Sequence, residues 1–98
     1  MSEEWSIPAP AFKADEALVA LKRQLRELRP LAERGARFEL RGVPVVELAL
    51  VGDAIEARLA QRPTNSTAWT THPLSRSADL RTFVDSVRRQ MRRWDTDE

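Results

Sequence analysis

The chain has 98 residues with 16 basic and 15 acidic side chains, which leaves room for one domain of near-neutral charge and excludes a second folded unit. Hydrophobic residues make up 42% and charged residues 32%, enough apolar material for one core, and this excludes an intrinsically disordered chain. Cysteine is absent and histidine occurs once, which excludes disulfides, thiolate metal sites and cysteine nucleophiles and removes most acid–base chemistry.

Met1-Ser2-Glu3-Glu4-Trp5 carries acidic residues where a secretory leader needs positive charge. No apolar run nears the roughly 18 residues of a membrane span, so the expected location is the cytoplasm, with no membrane partner. Fourteen arginines against two lysines, with 13 alanines and no tyrosine, point to a GC-rich bacterial genome as much as to selection for arginine chemistry.

Residues 1–12, with Pro8 and Pro10 around Ala9, cannot enter a helix interior or a central strand and are expected to form an extended arm that carries Trp5 and Ile7. Residues 13–94 are expected to form the single domain, and 95–98 an acidic C-terminal end. Over 13–29, Leu18, Leu21, Leu25 and Leu28 recur at spacings of three and four, which predicts an amphipathic helix. Its acidic Asp15 and Glu16 come first and Lys22, Arg23, Arg26 and Arg29 later, the order that complements the helix dipole. Pro30 breaks or kinks it, after which Leu31-Ala32-Glu33-Arg34 has the composition of one more helical turn, stopped by Gly35.

Beyond Gly35 the apolar period changes to two. Residues 37–41 alternate apolar and charged, 45–51 form a β-branched and leucine-rich run, and 55–59 alternate again. Arg41-Gly42 and Gly52-Asp53 supply the turns, and Pro44 stands where the ladder has not yet begun. Residues 61–66 are a loop by composition. Residues 67–74, with Trp69 and three threonines, predict a fourth strand ended by Pro73. Ser75 or Ser77 can cap a final helix over 78–94, where Leu80, Phe83, Val84, Val87, Met91 and Trp94 share one stripe.

An antiparallel meander with one apolar face and two helices with one apolar stripe each predict an α+β two-layer sandwich. The expected sheet has three or four strands in the order α-β-β-β-(β)-α, with both helices packed on one face. Phe38, Leu40, Val46, Leu48, Leu50, Ile55, Ala57 and Leu59 then point at the helices. Arg37, Glu39, Arg41, Glu47, Glu56 and Arg58 cover the opposite face and are expected to form cross-strand ion pairs. The element order is compatible with the double-stranded RNA-binding type of fold, but no basic cluster opens the final helix, so the comparison stops at the fold.

His72 stands near Ser75, Ser77 and Asp79, but nothing matches a Gly-x-Ser-x-Gly elbow, and a strand histidine followed by helix-capping residues accounts for the stretch. No catalytic residue is predicted. Gly35, Gly42 and Gly52 stand alone, better placed for turns than for a phosphate loop, and a single histidine with scattered carboxylates predicts neither a metal nor a cofactor. Asn65-Ser66-Thr67 marks an exposed loop.

The last helix carries the strongest signal, with Arg81, Arg88, Arg89, Arg92 and Arg93 against the single Asp85, all off the apolar stripe. With Lys22, Arg23, Arg26 and Arg29 of the first helix they would make the outer layer basic if the helices lie side by side. Trp5, Trp69 and Trp94 are either core closures or interface anchors, and Trp69 is the candidate for binding. The expected function is a non-enzymatic module that binds a protein through its arginine-bearing helices or a sheet edge, as a monomer or homodimer. The alternative is nucleic-acid binding through arginines on phosphates, and a third, enzymatic reading rests on His72.

Overall fold

The computed structural model describes residues 12–96 of the chain. The predicted arm, with Trp5 and Ile7, and the acidic Asp97 and Glu98 lie outside the described residues, except for Phe12, which is half-buried against the core. The elements are α1 (Ala14–Arg26), β1 (Ala32–Arg34), β2 (Arg37–Leu40), β3 (Val43–Val51), β4 (Ala54–Ala60), β5 (Trp69–Leu74) and α2 (Ser77–Thr96).

The strands form one antiparallel sheet in the order β1-β2-β3-β4-β5, a pure meander. The α+β class holds, with five strands where three or four were expected. The additional strand is β1, which replaces the helical turn expected over 31–34. Its three residues have no β-branched member and no apolar alternation, so local composition hides it. It exists because Gly35, at φ 62°, turns the chain back so that Ala32 pairs with Glu39 and Arg34 with Arg37. The first helix accordingly ends at Arg26 rather than Arg29, with the backbone N–H of Glu27 bonded back to the Gln24 carbonyl and that of Leu28 to the Leu25 carbonyl.

Between β2 and β3 the turn is Arg41-Gly42, with φ of 55° and 83°. Two successive positive φ values are what a two-residue hairpin needs to match the strand twist. Arg41 therefore sits in a turn and does not cover the outer face as expected. One residue into β3 the register jumps from Glu39↔Pro44 to Phe38↔Val46, leaving Val45 as an extra, bulged residue. Both Val45 and Val46 are fully buried. Proline, lacking a donor, is tolerated beside such a bulge.

Strand β5 runs on through Pro73 to Leu74 instead of ending before it. Pro73 pairs with Glu56. Without an N–H it can only form the non-hydrogen-bonded kind of pair, so its backbone faces the open edge. By alternation Thr71 and Trp69 also turn their backbone groups outward. The missing donor at Pro73 blunts this edge against a further strand, and the other edge, β1, is three residues long.

Helix α1 packs over β3 and β4, α2 packs on β5 and against α1. The core lies between the layers, built around the fully buried Leu21, Leu25, Phe38, Val45, Val46, Ile55 and Val87. Leu50 points to the helix side, as its pairing with Ile55 requires, but is 49% exposed because the β3–β4 hairpin extends beyond the helices' cover. Helix α2 is capped by Asp79 and not by a serine hydroxyl: its carboxylate accepts the backbone N–H groups of Ser75 at 2.9 Å and Arg76 at 3.0 Å. No helix among the described residues is long and apolar enough to cross a membrane.

Candidate functional site

On the outer sheet face the expected ion pairs form a band across the strands. Glu47 and Arg58 are cross-strand neighbours, 3.2 Å apart, and Glu39 lies 3.6 Å from both Arg34 and Arg37. Arg58 also lies over the Trp69 ring at 5.5 Å, diagonal to it across β4 and β5. Trp69 is half-buried under this arginine. The outer face is thus mostly a surface of paired charges, with Glu56 exposed and in no ion pair among the described residues, and Trp69 closes one end of it.

The helix side is organised differently. Residues 27–30, which follow α1, and the last two turns of α2 line the same cleft, of about 290 Å³. Both helices therefore run in the same direction along the sheet and end together. Each helix C-terminus carries roughly half a negative charge, so two such ends side by side call for cations. Four arginines stand around the cleft: Arg29 just beyond α1, Arg41 from the β2–β3 turn, and Arg88 and Arg92 from α2. Among the described residues, two carboxylates, Glu27 and Asp95, stand against them. All six side chains are exposed and make a rim, while half-buried Leu28 and Met91 and buried Leu40 and Trp94 make an apolar floor.

The predicted arginines divide between surfaces. At about 100° per residue, Arg81, Arg88 and Arg92 share one flank of α2, and Arg89 and Arg93 lie on another. Arg88 and Arg92 reach the cleft; Arg81 is two turns nearer the start of the helix. Arg93 lines a separate hollow with Gln61, Arg62 and Gln90, and Arg89 donates to the Ser86 hydroxyl at 3.3 Å. Arg88 lies 3.2 Å from Asp85, a solvent-exposed pair of small energetic weight. Arg41 and Arg92 are engaged within the chain as well. Arg29 makes no hydrogen bond or ion pair among the described residues.

Lys22 and Arg26 are not part of the cleft. Both turn to Glu33 of β1, with Arg26 Nε 2.6 Å and Lys22 Nζ 4.0 Å from its carboxylate. They fasten the short edge strand to α1, where that strand has no buried residue to offer.

Arg41 was not among the residues singled out for binding, and Arg29 was expected only as part of the general basic layer of the first helix. The signals that mark them are local ones, Pro30 ending the helix at Arg29 and the Arg-Gly turn at Arg41. Their convergence with Arg88 and Arg92 is a tertiary fact that no spacing reveals.

His72 lies on the helix side of β5. Its Nε2 is 3.1 Å from the Thr70 hydroxyl, and its ring meets Phe83 edge-on at 5.3 Å between centroids. Asp79 is occupied as the helix cap, and no serine hydroxyl bonds to His72 among the described residues. No group of three or more histidines and carboxylates placed to hold a metal occurs among the described residues.

No protein-family model matches the chain, and no curated protein or solved structure is significantly similar to it.

Proposed function

We propose that this chain is a non-enzymatic binding module, and that it takes an acidic segment of a partner protein at the cleft between the ends of α1 and α2. The observation that carries the proposal is the meeting of Arg29, Arg41, Arg88 and Arg92, from three separate parts of the chain, around an apolar floor. A charged rim around a desolvated centre is the anatomy of a protein interface, and arginine forks suit carboxylates. The two sheet edges favour the same side by default, since one lacks a donor at Pro73 and the other is three residues long. The domain needs no disulfide, which suits a cytoplasmic setting.

Nucleic-acid binding is the weaker reading. A duplex is held by cations presented along successive phosphates. Here Lys22 and Arg26 are drawn onto Glu33, the α2 arginines point in two directions, and Glu27 and Asp95 stand at the cleft.

The test is a titration of the full chain against a short fluorescein-labelled peptide of Asp, Glu and Leu, and against labelled RNA and DNA duplexes, at 50 and 200 mM salt. Peptide binding that is lost in the Arg29→Gln, Arg88→Gln double variant supports the proposal. Binding of duplexes alone, weakening by about tenfold or more across that salt range, overturns it in favour of phosphate recognition.

A further inference from the structure

We infer that the occupant of this cleft is an acidic segment anchored by one large apolar side chain, a leucine, methionine or phenylalanine flanked by Asp or Glu, and not a plain polyanion. The inference rests on the function proposed above and specifies the ligand of the same site.

The chemistry of the floor requires it. Trp94 and Leu40, 6% and 7% exposed, form the base, and Leu28 and Met91 close the sides. Water over this floor rests on four apolar side chains and finds its side-chain hydrogen-bond partners at the charged rim. A ligand made only of carboxylates would reach the rim arginines and leave that water in place. An apolar side chain would displace it, and burial of apolar surface is the non-directional part of binding energy. The volume lies at the low end of ligand cavities, enough for an anchoring side chain and short of an extended organic ligand. Met91 suits an anchor of variable shape, since its unbranched, polarisable side chain repacks easily.

The rim sets the flanking charges. Arg29, beyond the end of α1 and without a partner among the described residues, and Arg88 of α2, whose one ion pair among them is the exposed contact with Asp85, stand around the floor. Carboxylates on both sides of the anchor meet one guanidinium each. Asp95 and Glu27 repel a ligand with acids placed elsewhere and so favour one orientation.

The experiment compares two short labelled peptides of identical charge, one carrying a central phenylalanine between glutamates and the other a serine in its place. The phenylalanine peptide is expected to bind about tenfold tighter or more, as burial of such a side chain implies. Met91→Gln should erase that preference with little effect on the serine peptide. On the unaltered 15N-labelled chain, amide shifts caused by the phenylalanine peptide should concentrate at Leu28, Leu40 and Met91, a readout that does not depend on any variant folding. Equal affinities for the two peptides, or shifts centred elsewhere, would overturn the anchored ligand and leave the acidic-partner reading standing. Absence of binding by either peptide to the folded chain overturns both.

Discussion

The indole N–H of Trp94 donates to the carbonyl oxygen of Gln61 across 3.2 Å. The same oxygen accepts from the Gln90 side-chain amide at 3.1 Å, so two side chains of α2 clamp the chain where it leaves β4. Trp94 is 6% exposed, which makes it a core residue with a polar handle, and its ring forms part of the cleft floor. One residue thus joins fold to site.

Trp94→Phe keeps most of the packing and loses the bond, while Gln61 retains the Gln90 donor, so the expected cost is about 1–2 kcal/mol. Trp94→Ala should cost about 3–5 kcal/mol. Urea unfolding followed by circular dichroism measures both. Equal losses would mean that packing of the ring contributes little at this position.

Val87 is fully buried in the middle of α2. Val87→Asp places a charge there with no partner, at a cost of several kcal/mol against a total stability of about 5–15 kcal/mol for a domain of this kind. The variant should be largely unfolded at 25 °C, with loss of the cooperative thermal transition. An unchanged melting temperature would show that the stripe is not buried.

Arg89 and Arg93 are exposed on the side of α2 away from the cleft. Reversing both to Glu weakens the match to the helix dipole and breaks one exposed bond to Ser86, which together should cost about 1 kcal/mol. Binding of the acidic peptide should change far less than in the Arg29→Gln, Arg88→Gln variant. A comparable loss of binding would place the contact surface on the outer side of the helix instead.

Glu33 holds Arg26 and Lys22 with 27% of its side chain exposed. Glu33→Gln should cost up to about 1 kcal/mol at low salt. Near 1 M salt, where the screening length falls to about 3 Å, the difference from the unaltered chain should shrink. Urea midpoints of both chains at the two salt concentrations give the comparison; a loss independent of salt would mean that the carboxylate acts through packing and not through charge.

Much of this fold is legible along the chain because amphipathic period is a local property. The stripe Leu80, Phe83, Val84, Val87, Met91, Trp94 and the alternation in 55–59 each state which face is buried before any partner is known. The turn at Arg41-Gly42 is equally local, since glycine relieves the strain of positive φ. Strand β1 escapes this kind of reading. Ala-Glu-Arg has no period and little strand preference, and it becomes a strand only when β2 offers a ladder and Glu33 meets Arg26. Pro73 misleads for a related reason, because proline ends a central strand but is harmless on an edge, and which strand lies at the edge is set by topology.

The sequence by itself determined the α+β class, the buried faces of both helices and three strands, and the exclusion of thiol chemistry, because composition and periodicity act over a few residues. Only the tertiary structure decided which of 14 arginines share a surface. Arg29 and Arg92 are 63 positions apart and line one cleft, while Arg88 and Arg89 are adjacent and face different surroundings. The physical reason is that a helix turns about 100° per residue, so neighbours diverge, and two helices ending together over one sheet bring distant side chains within reach of one ligand.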